Sequence, residues 1–204
     1  IYNENAWLVG TDRGELFLFD NDGKQIWKRS LGIGKLVSMC VSHDEKIAFI
    51  GEQSPSGNLY AIDIAGGDIL WKFAAANVVG AEPAKRSYPS IVHICIDQND
   101  NVYANAYRFV TAKDGSRGYN GKAVAFNKNG DQLWQFPQNE NIDSWINWCD
   151  VNDNNGKVVL STSAYEIRPD MKYRDTMYLI NKVLDPEVSI KGLSPGVEGS
   201  GAGE

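Results

Sequence analysis

One strand–turn–strand pattern is written four times along this chain, and self-similarity at such a spacing restricts the fold to solenoids, propellers or arrays. The clearest copy runs from Gly57 to Phe73. It holds Leu59-Tyr60-Ala61-Ile62-Asp63, a turn through Gly66-Gly67-Asp68, and Ile69-Leu70-Trp71-Lys72-Phe73. A second copy is Glu15–Asp20, the turn Asn21-Asp22-Gly23-Lys24, and Gln25-Ile26-Trp27-Lys28. A third is Lys122–Asn127, Lys128-Asn129-Gly130-Asp131, and Gln132-Leu133-Trp134-Gln135-Phe136. The fourth is worn: Met177–Asn181, a turn through Asp185-Pro186, then Val188–Lys191.

The turn triplets supply the positive φ that tight hairpins need. Their flanks carry the Leu, Ile, Val, Phe and Tyr of buried strands. Two further strand patterns precede each hairpin. One set is Lys35–Val41, Ser90–Ile96 and Ser144–Asp150; the other is Trp7–Thr11, Lys46–Gly51, Asn101–Ala106 and Lys157–Thr162. Asp- and Asn-rich turns at His43–Glu45, Gln98–Asp100 and Asn152–Gly156 join them. Each repeat therefore reads as a four-stranded antiparallel meander, the blade of a β-propeller. No segment shows an amphipathic helical period over three turns, so the expectation is all-β with essentially no helix.

Tyr60-Ala61-Ile62-Asp63, then Gly66-Gly67, then Leu70-Trp71, resembles the repeat of the PQQ-like (quinoprotein-type) β-propellers. In that family a strand-borne Ala-x-Asp, a turn Gly and a Trp recur blade after blade. Copies one and three keep Asp20 or Asn127 with Trp27 or Trp134; copy four has Asn181 and Ile190 in the corresponding places. The resemblance covers Ala6 to Lys191. It is closest in kind to a non-catalytic branch like that of the outer-membrane barrel-assembly lipoproteins. It implies that Trp27, Trp71 and Trp134 dock neighbouring blades, and that the chain works in the periplasm or at the cell surface. Fold alone does not fix function.

Blades are expected at about 1–31, 35–74, 90–137 and 144–192, with a Gly/Ser-rich tail or linker at 193–204. Asn3-Glu4-Asn5 falls where later repeats place the turn between first and second strands, so strand one of the first blade is expected to be missing, or at most represented by Ile1-Tyr2. Just under four blades make an incomplete ring, since propellers close with about four to eight. A second copy, or flanking sequence, is expected to complete it. The net charge of −6 and pI near 5.0 argue against nucleic acid as a partner. No run of apolar residues is long enough to span a membrane.

Cys40, Cys95 and Cys149 lie 55 and 54 residues apart. Their spacing reads as one repeat-equivalent, buried niche in each blade, occupied by a free thiol. Equivalent places on neighbouring blades are expected to be too far apart for a disulfide. A metal site from these three thiols and His93 lacks any short ligand spacing, so no metal is expected. Asp150–Gly156 superficially resembles a calcium loop, but its twelfth position is Ser161 rather than an acidic residue.

Length variation points to a binding face. The link between second and third strands is only Asp12-Arg13-Gly14 in blade one. It grows to Glu52–Gly57, Tyr107–Gly121 and Glu166–Thr176 in the later blades, and the interblade links Ala74–Pro89 and Pro137–Asp143 are also long. Both kinds of link emerge on one face of a propeller, and an elaborated face marks a binding surface. Arg86, Tyr88, Tyr107, Arg108, Arg117, Arg168, Tyr173 and Arg174, with Trp145 just inside, are its candidates. Arg, Tyr and Trp are the types enriched at hot spots.

The leading expectation is a non-catalytic scaffold that recognises a protein partner, without a cofactor or catalytic residues. One alternative is a fragment of a quinoprotein dehydrogenase holding PQQ and Ca²⁺; the adjacent paired cysteines that many such enzymes carry are absent here. Another is a carbohydrate-binding surface module in which Trp145 and the loop tyrosines stack on sugar rings.

Overall fold

The computed structural model describes residues 6–81, 88–111, 115, 117–138, 142–143, 145–163, 177–182 and 191–193. Its strands form successive antiparallel meanders. The first comprises β1 (Ala6–Gly10), β2 (Glu15–Asp20) and β3 (Gln25–Ser30). The second holds β4 (Lys35–Val41), β5 (Ile47–Gln53), β6 (Asn58–Asp63) and β7 (Ile69–Ala74). The third holds β8 (Ser90–Ile96), β9 (Val102–Thr111), β10 (Arg117–Phe126) and β11 (Gln132–Phe136), with the two-residue β12 (Ile142–Asp143) paired to β10. The fourth holds β13 (Trp145–Asn152), β14 (Lys157–Ser163), β15 (Met177–Asn181) and β16 (Lys191–Leu193). These meanders are the blades. A single bridge between Gln53 at the end of β5 and Ser90 of β8 links the second and third.

The repeat extends to irregularities that amino-acid pattern alone does not show. Each inner strand of blades two to four bulges at the same place: between Leu36 and Ser38, Ile91 and His93, and Ile146 and Trp148. The outer hairpins of blades one to three bulge too, at Leu18/Phe19, Ala61/Ile62 and Ala125/Phe126. A bulge bends its strand and steepens the local twist, and regular placement keeps the blades similar enough to stack.

The stacking makes three cores, one per blade-to-blade interface. Leu16, Leu18 and Trp27 meet Ile50, Tyr60, Ile62 and Ile64. Phe49, Leu59 and Ala61 meet Ile91, Ile94, Val102 and Phe126. Tyr103, Trp134 and Phe136 meet Ile146, Cys149, Leu160 and Tyr178. Strand alternation explains this: both faces of each middle blade are buried, on opposite neighbours.

The three repeat tryptophans cross these interfaces. Trp27 Nε1 donates to the Ile64 carbonyl at 2.9 Å, Trp71 Nε1 to Lys128 at 2.9 Å and Trp134 Nε1 to Lys182 at 2.7 Å. Every acceptor lies in the hairpin turn of the following blade. The ring also lies over that turn's glycine: a Cβ at Gly67 would stand 3.1 Å from Trp27, and one at Gly130 2.7 Å from Trp71.

Among the described residues helix is confined to the single turn α1 (Ala76–Val79) after blade two and a 3₁₀ turn at Asp153–Asn155, as an all-β chain has it. Several other expectations need correction. Most of the Tyr107–Gly121 segment is not a loop; the β9–β10 ladder continues outward to Arg117↔Thr111. The Pro137–Asp143 link contributes β12, and the final strand reaches Leu193. The cysteines are not all equivalent. Cys40 pairs with Phe49 and Cys95 with Tyr103, but Cys149 pairs with Leu160, whose place in the ladder matches Ile50 and Ala104. The inner-strand partners of those two are Met39 and Ile94, so Asp150, not Cys149, occupies the cysteine position of blade four. A one-residue offset turns a strand side chain to the other face. Cys149 therefore points back at blade three, and its sulfur lies 3.0 Å from that of Cys95, which contradicts the expected separation.

Candidate functional site

The face that carries the β1–β2, β5–β6 and interblade links holds a cleft of about 790 Å³ between the first two blades. It is lined by Asp12 and Arg13 from the β1–β2 turn, Ser30 and Gly32–Lys35 from the β3–β4 link, Gln53 and Pro55 after β5, and Tyr88 before β8. Opposite charges stand around its mouth, and Ile33 is 84% exposed at its lip.

A buried carboxylate braces the links that line the cleft. Glu52, at the end of the otherwise apolar β5, is 1% exposed. Its Oε1 accepts from the Gly34 amide at 3.1 Å; its Oε2 accepts from Ser54 Oγ at 2.9 Å and Asn58 Nδ2 at 2.8 Å. The Tyr60 hydroxyl lies 3.0 Å from both Glu52 Oε2 and the Leu31 carbonyl. Burial first, then the Glu52 charge, pushes the pKa of Tyr60 up, so the phenol keeps its proton. A buried charge is tolerable when its acceptor sites are filled in this way. Close backbone approach does the rest: a Cβ at Gly32 would lie 2.2 Å from Glu52 Oε1, and one at Gly34 2.1 Å from the Gln53 carbonyl. Leu31 N donates to Gly14 O and Leu36 N to Thr11 O, both at 2.9 Å. The β3–β4 link is thus held from both blades, and Ile33 is presented on a fixed backbone.

The sequence candidates divide between this cleft and a second place. Tyr88 lines the cleft. Tyr107 and Trp145 meet elsewhere, at the junction of blades three and four, with ring centroids 5.2 Å apart. Tyr119 joins them at 5.5 and 5.8 Å, and Phe109 packs on Tyr119 at 5.5 Å. These rings face each other. Burial, then the neighbouring Tyr119, raises the pKa of Tyr107. Arg108 points to the other side of β9, where its Nε donates to the Val79 carbonyl at the end of α1 at 2.9 Å. Arg117 opens β10. Arg86, Arg168, Tyr173 and Arg174 lie outside the described residues.

Asp12, Arg13, Ile33, Lys35 and Glu52 are not among the sequence candidates, because link length singles out the longest links, whereas this cleft forms between short ones. Two signals pointed to it. Gly32-Ile33-Gly34 brackets an apolar residue in a link, and Glu52 closes the apolar run Ile47–Gly51. Among the described residues no three His, Cys, Asp or Glu side chains converge as metal ligands. No described helix is long and apolar enough to cross a membrane.

Comparison with known proteins agrees with this architecture. The family model described as outer membrane protein assembly factor BamB, of the PQQ-like repeat class, matches residues 12–144. No curated protein matches the chain significantly. Among solved structures, the crystal structure of Saccharomyces cerevisiae Sqt1 superposes with a TM-score of 0.53 at 13% identity, over 78% of this chain and 38% of that one. At that identity the likeness is one of fold. The chain spans well under half the length of this structural relative.

Proposed function

Because the chain belongs to the PQQ-like propeller family described as outer membrane protein assembly factor BamB, we propose that it is a non-catalytic binding module acting outside the cytoplasm. Its loop-bearing face would recognise a protein partner, of the kind engaged in outer-membrane protein assembly. The observation that carries this reading is the cleft between blades one and two, with Ile33 exposed beside Arg13, Asp12 and Lys35. An apolar anchor ringed by polar groups on a rigid backbone is how binding hot spots are built. Rigidity also limits the ordering entropy lost on association. The family supports the location and the scaffold role. Ring completion, by a second copy or by flanking sequence, belongs to the same proposal.

A photo-crosslinking amino acid at position 33 tests it in cells, with position 133 on the outer rim as control. Position 33 should label one protein species that position 133 does not. Arg13→Glu combined with Lys35→Glu should remove that adduct without lowering the melting temperature. Equal labelling from both positions, or an adduct indifferent to the charge reversals, would refute the cleft as the docking site.

A further inference from the structure

We propose that Cys95 and Cys149 form a redox-active pair that closes to a disulfide, stapling blade three to blade four at their inner strands. The two sulfurs are 3.0 Å apart. A disulfide bond is about 2.05 Å long, so closure needs a sulfur movement of about 1 Å. The meeting does not follow from the repeat. Cys40 and Cys95 share one ladder position, on β4 and β8, and each faces the following blade. The position that blade three turns back toward Cys40 belongs to Ile94, and the corresponding one in blade four is Cys149. Only the interface between blades three and four therefore places thiol against thiol, and Cys40 is an internal control. The inference stands on this register and does not depend on the cleft or on its partner.

The two thiols differ in access. Cys95 is half-buried, whereas Cys149 is 1% exposed and lies 3.5 Å from the Tyr103 carbonyl. This difference orders the chemistry. Deprotonated Cys95 Sγ attacks a small-molecule or protein disulfide, forming a mixed disulfide and expelling one thiol. Cys149 Sγ then attacks the Cys95 sulfur, the mixed bond breaks, and a second thiol leaves. The two cysteines are oxidised by two electrons, the external disulfide is reduced, and their two protons leave on its two thiols. The hydrogen bond to Cys149, then burial, raises the pKa of Cys95, so thiolate is scarce at neutral pH and exchange is slow. An oxidising compartment would hold the pair closed.

Peptide mapping of the full chain tests this after incubation with glutathione disulfide at mildly alkaline pH and trapping with N-ethylmaleimide. The expected product links the peptides carrying Cys95 and Cys149, with maleimide on Cys40. Its melting temperature should exceed that of the reduced protein by about 5–15 °C, and dithiothreitol should reverse both changes. Cys149→Ser should stop at Cys95 bearing glutathione. Should that variant fold poorly, Cys40→Ser retains the pair and must still give the cross-link. Recovery of both residues as maleimide or glutathione adducts in the unaltered chain, or a bond that includes Cys40, would overturn the proposal.

Discussion

Gly23 and Gly130 hold the same place in their hairpins, and both have positive φ, 78° and 92°. Their surroundings differ. A Cβ on Gly130 would meet the Trp71 ring at 2.7 Å, whereas one on Gly23 would meet nothing within 4 Å. Gly23→Ala should therefore cost only the backbone penalty, about 1 kcal/mol, while Gly130→Ala adds displacement of an indole, for about 2–4 kcal/mol in total. Chemical denaturation of the two variants measures the difference, and equal losses would mean that the ring does not hold the turn. Asn105 poses the opposite problem. It is fully buried on β9, and neither end of its amide has a hydrogen-bond partner. Replacing an unsatisfied amide with an apolar side chain of similar size removes a desolvation cost, so Asn105→Leu should stabilise by about 1–3 kcal/mol. A loss of that size would instead mean that Asn105 serves a bound group. The Trp and the turn Gly were both legible because both recur, although their contact across the blade interface was not. Neither Asn105 nor the reversed Cys149 recurs, and a register shift of one residue leaves no trace in composition.

Turns facing away from the cleft join the blades by charge. His43 N donates to Asp100 Oδ1 at 2.9 Å, and Lys182 lies 3.2 Å from Asp97 Oδ2 while also reaching Asp153. Burial works against the Asp97 charge, but hydrogen bonds from Asn101, Asn99 and Lys182 outweigh it and hold its pKa below the ordinary carboxylate value. A depressed acid pKa gives stability that is complete above the unfolded value, near 3.9, and lost as pH falls through the folded one. Asp97→Asn should lower stability at pH 7 by about 1–3 kcal/mol and flatten the decline of the melting temperature between about pH 4 and pH 2. An unchanged acid profile would remove Asp97 from that account. Among the docking rings, Trp134 is 5% exposed, and Trp134→Ala should cost about 3–5 kcal/mol; a loss below about 1 kcal/mol would show the fourth blade to be weakly attached. Strand order was legible because Asp/Asn/Gly turns punctuate it. The outward β9–β10 ladder was not, since Tyr107–Gly121 has too many polar residues and glycines to read as strand. Mistaking it for a loop placed Tyr107 and Arg108 together on a surface, whereas strand alternation sends them to opposite sides.

Blade one presents a face that none of the described blades covers. Trp7 and Val9 on β1 are 52% and 43% exposed, and they pair across the ladder with Phe19 and Phe17. Those two phenylalanines stack at 5.7 Å, with the Lys28 ammonium 5.1 Å from Phe17. The same face of blade two is buried under blade one and that of blade three under blade two. In both, the preceding blade's Trp lies over the turn glycine, while Gly23 has no such cover. Repetition therefore predicts what would fit this face: a blade whose outer-strand Trp rests on Gly23 and whose apolar face covers Trp7 and Val9. Left bare, so large an apolar patch favours association. The 204-residue chain expressed alone should self-associate reversibly in sedimentation at micromolar concentration. Trp7→Glu with Val9→Glu should return it to monomer with the fold intact. Joining a copy of blade two ahead of β1 should also suppress association, and should raise stability because the added interface is buried on folding. A soluble monomer that neither change affects would show that this surface needs no covering, and that the stack ends at blade one.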